Sequence, residues 1–77
     1  LGVRVLTPLP DGRIELAISD PTPGPPRVEW SRDLRGWTRE SGTMRFEDRI
    51  RATWTSSQAP GEGPVFYRVV KEVPAYP

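Results

Sequence analysis

The sequence predicts an all-β fold, an antiparallel β-sandwich of about six or seven short strands. Three observations predict it. Several stretches alternate apolar and polar residues with a period of two, and none carries the spacing of an amphipathic helix. Turn signals built from Gly, Pro, Asp and Ser recur about every 8–12 residues. The ten prolines sit mostly where a strand would have to end, because proline cannot donate to a sheet ladder.

Taken in order, Val3-Arg4-Val5-Leu6 reads as a short strand with Val3 and Val5 on one face. Pro8 and Pro10 end it, so residues 1–7 form a strand separable from the rest. Asp11-Gly12 is a turn signal leading into Arg13–Ser19. There Ile14, Leu16 and Ile18 alternate with Arg13, Glu15 and Ala17, the clearest inner strand of the chain. Ser19 to Pro26 is rich in proline, stiff and extended, and suited to crossing from one sheet to another. A docking ligand for a proline-reading domain is the weaker reading of so short a run.

Val28-Glu-Trp-Ser-Arg-Asp-Leu-Arg-Gly-Trp37 reads as a strand, a tight turn and the start of the return strand. Val28 and Trp30 face inward. Asp33 opens the turn and Gly36 closes it, which predicts a type I turn followed by a left-handed Gly. Trp37 then brings a second indole near the first. Trp37–Glu40 is a short strand ended by Ser41-Gly42. Met44, Phe46, Ile50, Ala52 and Trp54 share one parity, and Asp48 interrupts it. A lone buried carboxylate is costly, so two strands with a bend near Asp48 are expected. Arg45, Glu47, Arg49 and Arg51 form a charged outer ladder, which also discourages edge pairing. Val65–Val73 is the last strand. Tyr67 and Val69 lie on one side and Phe66 and Val70 on the other, so it is expected to be covered on two sides along part of its length. The predicted core is Ile14, Leu16, Ile18, Val28, Trp30, Trp54, Tyr67 and Val69.

Seventy-seven residues make a single small domain, residues 1–77. Such a domain buries a modest share of its surface and usually needs a staple or an associate. Cys and His are absent, so no disulfide, zinc site or haem ligation can be built from them. Their absence also removes the commonest general base and the commonest metal ligands. Asp11, Asp20, Asp33 and Asp48 fall in turns, where turn chemistry explains them without a catalytic role. No calcium loop and no phosphate-cradling glycine loop is present. The chain therefore reads as non-enzymatic and without cofactor. Net charge is +1, with both signs dispersed, which argues against a nucleic-acid partner. No apolar run is long enough to span a membrane.

The pattern Val28-Glu-Trp-Ser-Arg-Asp-Leu-Arg-Gly-Trp37, with Trp54 and Phe66-Tyr-Arg-Val69, resembles a small β-sandwich module. That module is frequent near the C-termini of secreted proteins of Verrucomicrobia- and Planctomycetes-type bacteria. Ser56 stands where that family usually has Asp, and the stretch from Met44 to Arg51 is more charged than its pattern. The resemblance implies an immunoglobulin- or fibronectin-III-like sandwich, extracellular or on the cell surface, with no catalytic residues to carry over.

Two functions are expected from these readings. The first is a structural subunit of an extracellular filament, joined to copies of itself or to neighbouring domains by strand addition. Leu1, Val3, Val5 and Leu6 would be the assembly strand. The second is an accessory or adhesion module that contacts polysaccharide through Trp37 and Arg35. Indole faces stack on sugars, although in a small domain Trp more often fills the core.

Overall fold

A computed structural model describes residues 1–21 and 26–71. Seven strands run in order: β1 Gly2–Pro8, β2 Ile14–Ser19, β3 Pro26–Ser31, β4 Thr38–Arg39, β5 Gly42–Phe46, β6 Arg51–Ser56 and β7 Phe66–Lys71. They form two antiparallel sheets stacked as a sandwich. One has the order β1-β2-β6-β5 and the other β4-β3-β7. The crossing between β2 and β3 changes sheet. Residues 22–25 of that crossing lie outside the described residues, as do the expected last residues of the final strand at 72–73.

Period-two patterning builds the core. Ile14, Leu16 and Ile18 of β2 turn inward and are buried together with Val28, Ala52 and Trp54. Met44, Tyr67 and Val69 pack against this cluster. Trp30, expected in the core, stands outside it and is only half-buried. Its parity is inward, as the alternation predicts. It sits near the end of β3, however, where the loop after β6, rather than the opposing sheet, lies over it.

β5 and β6 are separate strands joined by a turn, the outcome that the parity break at Asp48 predicts. The Asp48 carboxylate accepts the Ile50 N–H at 2.8 Å and the Arg51 guanidinium at 2.8 and 3.0 Å. Phe46 keeps inward parity opposite Ala52 yet is exposed, because the hairpin tip runs past the core. The return strand after the central turn is only Thr38–Arg39, shorter than expected, and Trp37 precedes it.

The first strand departs most from its sequence reading. β1 is laid antiparallel along β2, and its register shifts between Val3 and Val5. Arg4 is the extra residue of a bulge, which reverses the facing of the residues after it. Val3 pairs with Ile18 and Leu6 with Leu16, so both turn inward. Val5 pairs with Ala17 and turns outward. Val3 and Val5 therefore lie on opposite faces, not on one. Although they face inward, Val3 and Leu6 remain 39% and 44% exposed. β1 and β7 lie alongside each other at one flank of the sandwich. Among the described residues no strand of the second sheet lies beyond β7. β7 is the strand of the second sheet that comes nearest β1.

Gly42, read from sequence as a strand terminator, is the first residue of β5. A Cβ there would collide with the Trp54 indole and with the Thr55 carbonyl 2.5 Å away. Neither can retreat, since one is core and the other is ladder backbone. Gly42→Ala is expected to destabilise the fold by about 1–3 kcal/mol, the range for overpacking a filled site. Urea unfolding followed by Trp fluorescence measures it, and an unchanged midpoint would contradict this packing.

Candidate functional site

The central hairpin organises the polar chemistry of the molecule. Residues 32–36 form its loop. The buried Ser31 hydroxyl accepts the N–H groups of Asp33 at 3.2 Å and Leu34 at 2.9 Å, and donates to Asp33 Oδ1 at 3.0 Å. Asp33 Oδ1 also accepts the N–H groups of Arg35 at 2.8 Å and Gly36 at 3.0 Å. These donors hold the Asp33 carboxyl below its usual value, the Arg35 and Gly36 N–H groups first and the Ser31 hydroxyl after them. Side-chain oxygens thus take over backbone groups that the ladder has abandoned. The left-handed residue is Leu34, with φ of 66°, rather than Gly36 as the sequence predicts. The Ser31 and Asp33 acceptors together fix the loop in this form, whereas the turn signal points to Gly alone.

The two indoles flanking this loop do not meet. Trp30 shares the inward face with its cross-strand neighbour Tyr67. Trp37 lies on the outer face, where the Arg68 guanidinium stacks over its ring at 4.1 Å. Arg68 in turn donates to Glu29 at 2.7 Å, and Arg27 lies 3.4 Å from the same carboxylate. Arg39 is the opposite residue on β4. Glu29 is only 8% exposed, so its charge is held among cations rather than in water. Arg35, expected beside Trp37 as a ligand contact, is exposed on the loop, and the cation on the Trp37 ring is Arg68 instead. One face of that indole is thereby occupied.

A second aromatic site is at Trp30. Arg32, two residues on and so on the same side, places its guanidinium over the Trp30 ring at 5.6 Å. Arg32 also donates to the carbonyls of Pro60 and Glu62, both at 2.6 Å, which ties the 57–64 loop to the hairpin. Between them lies a cleft of about 200 Å³ lined by Trp30, Glu40, Gln58, Ala59 and Pro60. The Tyr67 hydroxyl is buried without a hydrogen-bond partner among the described residues. Burial raises its pKa, the charge of Glu40 adds to the rise, and Arg32 opposes it. Sequence reasoning missed this site. Arg32 was legible, since residues two apart on a strand share a face. Glu40 and Gln58 were not, because no local spacing joins them to Trp30.

Among the described residues, no group of three or more carboxylate, His or Cys side chains comes together to hold a metal ion. No described helix is long and apolar enough to cross a membrane.

The hairpin geometry makes an unusual pair of substitutions informative. Leu34→Gly is expected to raise stability by up to about 1 kcal/mol, because only Gly adopts positive φ without strain. Gly36→Ala is expected to change it by less than about 0.5 kcal/mol, since its φ is ordinary and the space around it is open. Thermal unfolding of both variants checks this; a larger loss at Gly36 than at Leu34 would restore the turn that the sequence predicts. Comparisons with models of known protein families, with curated proteins and with solved structures find no match for this chain.

Proposed function

We propose that this chain is a non-catalytic structural domain of an extracellular or cell-surface assembly, joined to other copies by strand addition. The observation that carries the reading is the open flank. Among the described residues β7 has a hydrogen-bonded partner strand on one side only, and at the same flank the inward residues Val3 and Leu6 of β1 remain 39% and 44% exposed. An exposed strand edge beside uncovered apolar side chains is the arrangement that strand addition uses. Main-chain hydrogen bonds supply affinity and alternate side chains fill pockets. The strand order supports the immunoglobulin- or fibronectin-III-like reading. β1-β2-β6-β5 against β4-β3-β7 follows that sandwich up to its last strand, which would lie beside β7. The likeness of Val28–Trp37 and Phe66–Val69 to modules of secreted bacterial proteins supports the extracellular placement. Filament growth by repetition of such contacts is the corresponding role.

Self-association tests it. The chain is expected to gain mass with concentration in light scattering. Leu6→Lys is expected to remain folded by circular dichroism and to stay monomeric, because an inward charge on an edge strand blocks pairing. A wild-type chain that stays monomeric throughout would defeat the proposal.

The cleft at Trp30 favours a second reading, an accessory module for neutral polysaccharide. An indole, a carboxylate and a primary amide around one small cleft suit a ring that alternates C–H and O–H groups. The neighbouring Arg32 disfavours a cationic ligand, and Glu40 an anionic one. Titration with cellotetraose and chitotetraose, followed by amide and indole chemical shifts, is expected to move Trp30, Gln58 and Ala59. Glu40→Gln is expected to weaken binding about 10-fold, while Trp37→Ala leaves it intact. Shifts centred on Trp37, or none at all, would remove this reading.

A further inference from the structure

We infer that two copies of this chain pair through β5, antiparallel and about a two-fold axis at Met44, so that Phe46 of each copy lies opposite Gly42 of the other. The inference extends the strand-addition reading to a second edge, on the flank away from β1 and β7.

That flank is open. β5 is the last strand of the four-stranded sheet, and among the described strands only β6 comes within 8 Å of it, Cα to Cα. Toward the other sheet, a cleft of about 380 Å³ separates β5 from β3 and the crossing at residues 39–41. Val28, Gly42, Met44 and Trp54 line it. The other edges are less suited to pairing. β4 has two residues, β1 carries a bulge and ends at Pro8, and β7 has β1 close by. β5 runs for five residues with neither a proline nor a register shift.

Hydrogen-bond parity selects the register. The Ser57 N–H donates to the Ser41 carbonyl and the Glu47 N–H to the Arg51 carbonyl, both at 3.0 Å. Bonded and non-bonded pairs alternate along an antiparallel ladder, so Thr43 and Arg45 also bond to β6. Gly42, Met44 and Phe46 turn their N–H and C=O groups to the open side. In a second copy the residues that can meet them are the same three. Centred on Met44, all three pair, Met44 with Met44 and Gly42 with Phe46 in both directions. A shift of two residues leaves only two pairs. The contact is isologous, as a two-fold pair requires.

Side-chain facing agrees with this arrangement. Gly42, Met44 and Phe46 have inward parity and carry no charge, and inward charge is what protects an edge. Phe46 is 52% exposed despite that parity. In the pair it stands beside the other copy's Gly42 at the mouth of the cleft, where an aromatic ring covers an edge glycine. On the outer face Arg45 of one copy lies opposite Thr43 of the other. The two Arg45 side chains are diagonal neighbours, and each has its own Glu47 at 3.3 Å.

Five residues a side are far fewer than the roughly 20–30 of a stable interface. The β5 pairing is therefore the weaker contact, and Leu6→Lys stays monomeric at concentrations where the β1/β7 flank associates. With both flanks in use, each copy has two joints and the assembly extends.

Covalent trapping detects so weak a contact, and the chain has no cysteine of its own. Thr43 and Arg45 are exposed, so cysteine is tolerated at either position. Mixed in equal amounts and mildly oxidised, Thr43→Cys and Arg45→Cys chains are expected to give the mixed disulfide as the main product. Non-hydrogen-bonded opposite residues have Cα atoms about 4.5 Å apart, within disulfide reach. Each variant oxidised alone is expected to stay largely uncrosslinked. Phe46→Lys in both chains is expected to remove most of the mixed product. If the unmodified chain associates but the mixture crosslinks no more than either variant alone, the β5 pairing is wrong and strand addition at the other flank stands. If the chain neither associates nor crosslinks, both fall.

Discussion

The contact of Trp54 with Tyr67 is what makes two small sheets one body. Trp54 stands on β6, a central strand of the wider sheet, with Leu16 and Met44 beside it as cross-strand neighbours. Its ring meets Tyr67 of the other sheet at a centroid distance of 6.3 Å and a tilt of 55°, within the favoured range for aromatic pairs. Neither disulfide nor a His or Cys metal site can hold this chain together, since it has no Cys or His. Cohesion therefore comes from packing, and the packing is small. Among the described residues six form the buried apolar cluster, and three more close on it. The demand for a bare Gly42 beneath the indole belongs to the same constraint. So few large side chains leave no slack around the one that bridges the layers.

A core of this size explains why the margins of the sandwich are unusual. Apolar side chains continue past it in several directions, on β1, on the β5–β6 hairpin and at Phe66. Val3, Leu6 and Phe46 are exposed although their parity is inward, whereas Val5 and Phe66 face outward and Ile50 lies in the turn. An outward Leu on a strand is ordinary surface. An inward Leu with no strand opposite marks a place where a layer stops short. Leu6 is inward yet 44% exposed, at the flank where β1 and β7 approach each other.

Polar groups on the three-stranded sheet are arranged with equal economy. Glu29 gathers Arg68 and Arg27, and Arg68 then caps Trp37. One carboxylate thus positions the cations of two strands, and one of those cations covers an indole that would otherwise face solvent. Arg32 acts in the same way across the hairpin, fixing the 57–64 loop by two carbonyls and sheltering Trp30. Surface pairs such as Arg13 with Asp11 add little by comparison, because water screens them.

Period-two alternation was enough to give the all-β class, the inward faces of β2, β3 and β6, and the break at Asp48. These come from backbone geometry, in which successive side chains must point to opposite faces. The candidate site was legible only where partners are two residues apart, as with Trp30 and Arg32. Features set by distant partners needed the folded chain. A bulge at Arg4 depends on how β1 meets β2, and it alone separates the faces of Val3 and Val5. Whether Trp30 is core or cleft depends on where the other sheet ends. Glu29 and Arg68 are 39 residues apart and meet only because β3 and β7 pair. Alternation fixes which way a side chain points, but only the assembled sheets decide what, if anything, stands in front of it.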